Sequence, residues 1–123
     1  MADIAIRPRV TLVANLVLAV VAAVGVAIPA HADSVAYLVN VTVRPGYNFA
    51  GADAALAYGY GICDKVRGGR PYAQIVADIW GDFNTSDEYQ ASYLISQSVN
   101  ELCPALIWQL RNSAAGYRPT GTM

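Results

Sequence analysis

Apolar and polar positions along the chain divide it into one long apolar run near the start and then several shorter amphipathic segments. From Val10 to Ile28 the chain is apolar apart from Thr11 and Asn15, and Arg7 and Arg9 lie just before it. After Asp33 the spacing changes. Over Val35–Val43, Leu38 and Val41 fall three residues apart, as on one helical face, and Asp33 or Ser34 stands where a helix cap belongs. The same stretch contains "VNVTV", a β-branched run that favours a strand, so the pattern leaves both conformations open. Arg44-Pro45-Gly46 then suits a type II turn.

The remaining segments are helical by periodicity. Phe49, Ala52, Leu56, Gly59 or Tyr60, Cys63 and Val66 recur at steps of three and four, which predicts a helix from about Gly51 to Arg67, stopped by Gly68 and Gly69. Gly59 and Gly61 are poor helix formers, and a close approach by another helix is the expected reason for both. Pro71 fits the first turn of a following helix whose apolar side carries Tyr72, Ile75, Val76, Ile79 and Phe83, with Trp80 beside it. Thr85 and Glu88 have capping-box spacing. The stripe Ala91, Ile95, Val99, Leu102, Leu106 and Leu110 then runs to Asn112, flanked by Trp108. Pro104 must kink this helix or begin a new one, because it removes a bond to the Asn100 carbonyl and disfavours helical geometry at Cys103. The expected fold is an all-α bundle of about four helices over 33–112. The glycine-bearing segment 113–123 is expected to be a disordered tail.

The basic start, the apolar run, the helix breakers Gly25 and Pro29, and the triplet Ala30-His31-Ala32 have the order of a secretory signal peptide over residues 1–32, cut between Ala32 and Asp33. The run is also long enough for a retained membrane anchor, which is the alternative. Cleavage leaves ninety-one residues with six basic and eight acidic side chains, too little positive charge for a nucleic-acid binder. It also removes His31, the one histidine, and with it the commonest general base and metal ligand.

Cys63 shares its helical face with Leu56, and Cys103 lies four residues after Val99, so both thiols point inward. In an exported chain the default is a disulfide, and a small domain needs such a staple. A cysteine nucleophile lacks a histidine partner, two lone cysteines do not make a zinc site, and the spacing is not that of a C-x-x-C redox pair. Asp33, Tyr37-Leu38, Val41, Gly61-Ile62-Cys63, Gly68 and Leu102-Cys103-Pro104, in this order, resemble the domain of unknown function 732 family, small exported proteins of actinobacteria. The resemblance covers Asp33 to about Pro104. It implies a compact helical bundle with the two cysteines joined and no established activity. Arg70-Pro71, in place of a small capping residue, and the extended tail depart from the family pattern.

Candidate chemistry is sparse. Asp78 and Asp82 lie four apart and could pair as acid and base or hold calcium, but a solvated helix face is the preferred reading. No nucleophile elbow, phosphate-binding glycine loop or metalloprotease helix occurs. Two glycosylation-type triplets, Asn40-Val41-Thr42 and Asn84-Thr85-Ser86, are treated as accidental behind a bacterial-looking signal. Tyrosine is abundant, with eight residues all beyond the signal; these can seal core edges or line a surface for a lipid or, by phenolate ligation, a haem. The expected function is that of a secreted or envelope-associated, non-enzymatic module that takes a protein partner or an apolar small molecule and needs no cofactor or metal. Tyr58, Tyr60, Trp80, Tyr89, Tyr93 and Trp108 are its candidate surface. A membrane-anchored structural envelope protein is the alternative.

Overall fold

The computed structural model describes residues 32–119; the apolar leader over 1–31 lies outside them. The described residues form five α-helices and no strand: α1 Ser34–Thr42, α2 Ala52–Arg67, α3 Tyr72–Phe83, α4 Glu88–Gln97 and α5 Ile107–Ala114. None is long and apolar enough to cross a membrane. A π turn, Ser98–Leu102, extends α4, and a 3₁₀ turn, Pro104–Leu106, opens α5.

The ambiguous first segment is helical. Asp33 is its cap, accepting the Ala36 N–H at 2.9 Å, and its own N–H donates to the Glu101 carbonyl of the π turn. Tyr37 and Val41, four apart, enter the core, whereas Val39 and Val43 stay outside. A strand would have put Tyr37, Val39, Val41 and Val43 all on one face; only the helical period buries Tyr37 and Val41 while leaving Val39 and Val43 outside. Leu38, expected on the inner face with Val41, is only half-buried.

The core lies where α1, α2, α4 and the π turn meet. Gly59 explains how they come so close. A Cβ added there would sit 2.5 Å from a Leu102 methyl and 2.7 Å from the Tyr37 ring, so only glycine allows the contact. Gly61 has no such reason, since a Cβ there meets nothing within 4 Å, contrary to the expected close approach. Tyr37 is fully buried and donates to the Ala55 carbonyl at 2.7 Å. Beside this crossing Cys63 and Cys103, 40 positions apart in sequence, form a disulfide with their Cα atoms 6.1 Å apart. The Ser98 carbonyl lies 3.6 and 3.8 Å from the two sulfurs, a packing contact, because a disulfide carries no S–H.

Pro104 begins a new helix rather than kinking the old one. Cys103 is non-helical, at φ −143° and ψ 60°, and Leu106 N–H donates back to its carbonyl. Three other termini differ from expectation. At the end of α2 Gly69 alone is left-handed, at φ +84°, while Gly68 stays right-handed; the Arg70 and Gly69 N–H groups close the turn onto the Lys65 and Val66 carbonyls. Helix α4 starts at Glu88, three residues after Thr85, with Asp87 as its cap accepting the Tyr89 and Gln90 N–H groups, so the Thr85–Glu88 capping box does not form. Thr85 instead accepts the Asp87 N–H, and the Glu88 carboxylate accepts the Tyr117 hydroxyl at 2.9 Å. Helix α5 runs on to Ala114, and Tyr117 packs edge-on to Tyr72 at 4.9 Å. The chain thus keeps packing past Asn112, where its composition pointed to disorder; residues 120–123 lie outside the described ones.

Candidate functional site

The six aromatic residues expected to form one surface are dispersed. Tyr58 is half-buried in a cluster with Phe49 and Phe83, and its hydroxyl donates to Asp82 at 2.8 Å. Trp80 donates its indole N–H to the Asp87 carbonyl at 3.1 Å, closing the α3–α4 turn. Tyr60 is exposed on α2, and Trp108 is exposed on α5 with Arg111 over its ring. Only Tyr89 and Tyr93 come together, because they lie four apart on α4. Asp78 and Asp82 do not act as a pair. Asp78 takes two bonds from Arg70 at 2.7 Å and one from Lys65 at 3.0 Å, and the Arg70 guanidinium, then Lys65, holds its carboxyl below the usual range.

A different place has the shape of a site. Between α1 and the start of α2 lies a half-open groove of about 530 Å³, within the range of ordinary ligand sites. Leu38, Val41, Val43, Pro45 and Phe49 supply its apolar wall, and Gly51 and Ala52 of the α2 start close the far side. The wall is built by local rules. Gly46, at φ +113°, makes the turn after Pro45, and a side chain there would strike Gln90. Tyr47 turns into the core and donates to the Gln90 carbonyl at 2.6 Å, and its ring and that of Phe83 pack against Phe49. Burial pushes the Tyr47 phenol up to about 12 against the opposing pull of Arg44. On α1 the Thr42 hydroxyl turns back onto the Leu38 carbonyl at 2.6 Å, which leaves no polar demand on the groove side. Val35, Val39 and Val43, at 69, 53 and 75% exposure, extend an apolar stripe along the helix from the groove.

Arg44 is the charged member of this lining, which also includes the polar Thr42 and Asn48. Its guanidinium lies against the rings of Tyr89 and Tyr93, 4.4 and 4.6 Å from their centroids, and Tyr93 is itself fixed by a bond to the Asn40 carbonyl at 3.1 Å. Arg44 figured in the sequence only as the start of a turn. The available signal was the tyrosine pair at i,i+4, but nothing in the spacing says which cation it receives.

A second cavity, about 310 Å³, lies between Val66, Ile75 and Leu110 at the other end of α2. Its arginine, Arg70, is already occupied by Asp78, and its rim groups are satisfied: Gln109 donates to the Val66 carbonyl at 2.6 Å, and Ser113 accepts the Tyr72 N–H at 2.8 Å.

The family model described as Protein of unknown function (DUF732) matches residues 32–105, more than half of the chain, including the groove, the glycine crossing and both cysteines. The chain belongs to the DUF732 family. The match ends just inside the 3₁₀ turn, so α5 with Trp108 and the Tyr117 contact lie beyond the matched region of this DUF732 chain. No curated protein and no solved structure matches it.

Proposed function

We propose that this DUF732 protein is an exported, non-enzymatic binding module that takes an apolar ligand in the groove between α1 and α2. The observation that carries this reading is the groove itself: five apolar side chains line it, and the valine stripe of α1 continues it in solvent. Apolar surface gathered in a concavity gains from being covered. Two further observations support export. A disulfide persists in an oxidising compartment, and at the expected cleavage point Ala32 is exposed while Asp33 is bonded both to α1 and to Glu101.

Binding of the neutral dye Nile red to the oxidised protein tests the groove. Enhanced fluorescence that is lost in Val43→Asp, an exposed position of little structural weight, is the expected result. No enhancement, or enhancement indifferent to that substitution, removes the reading. Intact mass of the protein from its natural source tests export, with a chain starting at Asp33 expected and a retained leader contradicting it.

A further inference from the structure

We infer that the groove's ligand is a single-chain anionic amphiphile, with its carboxylate on Arg44 and its alkyl chain along Leu38, Val41, Pro45 and Phe49; this rests on the apolar-ligand reading above. Lys65, Arg67 and Arg70 each pair with a carboxylate of the fold. Among the described residues no carboxylate lies within ion-pair distance of Arg44, and its Nε is buried with no acceptor. A cation that lines an apolar groove without a counter-ion invites an anion, which its terminal N–H donors would bind.

Geometry then selects the kind of anion. Tyr89 and Tyr93, whose ring centroids are only 6.1 Å apart, flank the guanidinium on adjacent rather than opposite sides, and its N–H donors lie in one plane. A planar carboxylate accepts two such bonds side by side. The tyrosines also hold the guanidinium in place, so little freedom is lost when the anion binds. An inorganic anion would use only this end and leave the apolar wall wet. A neutral apolar molecule would cover the wall and leave the Arg44 charge without a counter-ion. An amphiphile of one tail and one carboxylate uses both, and the stripe Val35, Val39 and Val43 gives a longer tail somewhere to lie.

Displacement of Nile red from the oxidised protein by dodecanoate and by dodecanol, each kept monomeric, tests the inference. Dodecanoate is expected to compete at least about tenfold more strongly than dodecanol, as the loss of one charge-assisted bond pair would predict. Arg44→Gln should abolish that difference while leaving dodecanol unchanged, and Arg44→Lys should keep part of it. An intact disulfide and a native helical circular dichroism spectrum confirm that each variant is folded. Equal competition by the two ligands, or a difference that survives Arg44→Gln, overturns the carboxylate while the groove stands. Failure of both ligands, with no dye bound, overturns the groove and this inference with it. Binding to anionic phospholipid vesicles but not to dodecanoate also overturns it, in favour of a surface contact.

Discussion

The crossing of α2 with the π turn and the groove beside α1 share a helix, yet they are built on opposite terms. At the crossing there is no spare room: Gly59 admits Leu102 and Tyr37, the Tyr37 hydroxyl has its carbonyl, and the two cysteines are joined. At the groove three valines face solvent and an arginine nitrogen has no acceptor. A bundle of this size has a thin margin of stability, so apolar side chains left uncovered are a real loss. The difference teaches that the locked half makes the open half tolerable. A covalent loop and a close helix contact offset what the groove leaves unburied, and the groove is where substitutions can change binding without unfolding the domain.

The comparison breaks most severely at the staple. Cys63→Ser with Cys103→Ser should lower stability by about 4 kcal/mol, the chain-entropy value for a loop of this length, read as a fall in the urea midpoint. Little loss would mean that the helices need no lock. Alkaline unfolding comes next. Burial pushes Tyr37 and Tyr47 up to about 12 from an unfolded value of 10.0, so above pH 10 the unfolded chain releases protons that the folded one keeps. The stability these phenols contribute is complete below pH 10 and is lost as pH rises toward 12, by roughly 1.4 kcal/mol for each at pH 11. Urea melts at pH 8 and 11 should show this loss, reduced in Tyr37→Phe.

Gly59→Ala and Gly61→Ala sharpen the contrast because they are the same change two residues apart. At Gly59 the methyl meets Leu102 and the Tyr37 ring, and a cost of about 1–3 kcal/mol is expected from overpacking. At Gly61 it meets nothing, and a gain of about 0.5–1 kcal/mol is expected from helix propensity. Thermal melts that shift the same way for both would contradict the close crossing. The smallest stability effect is expected at Arg44→Gln, about 1 kcal/mol or less from the lost contacts with Tyr89 and Tyr93, although its effect on dodecanoate should be large.

Much of the locked half was legible in the sequence, and little of the open half. Ile75, Val76 and Ile79 kept the helical period, Cys63 and Cys103 each followed an inward face, and Pro104 marked a break, so the bundle and its staple followed from local rules. The failures are contacts between distant residues. "VNVTV" has strand propensity, and only the packing of Tyr37 and Val41 against α2 and α4 overrides it. Gly59 and Gly61 are alike in sequence, and only the position of Leu102 tells them apart. The π turn leaves no trace in the hydrophobic spacing before Pro104. Tyrosine abundance pointed to one aromatic surface, but Tyr58, Tyr93 and Tyr117 each spend their hydroxyl on the fold, at Asp82, Asn40 and Glu88. The groove became visible only when the turn at Pro45-Gly46 brought Arg44 to the α4 tyrosines.

Amide chemical shifts of the ¹⁵N-labelled, oxidised protein during titration with dodecanoate test the division between the two halves most directly. Saturable shifts confined to α1 and the segment 43–52, with the amides around Cys63, Ser98 and Cys103 unmoved, are the predicted result. Shifts centred on the disulfide crossing, or none along Leu38–Ala52, would contradict it.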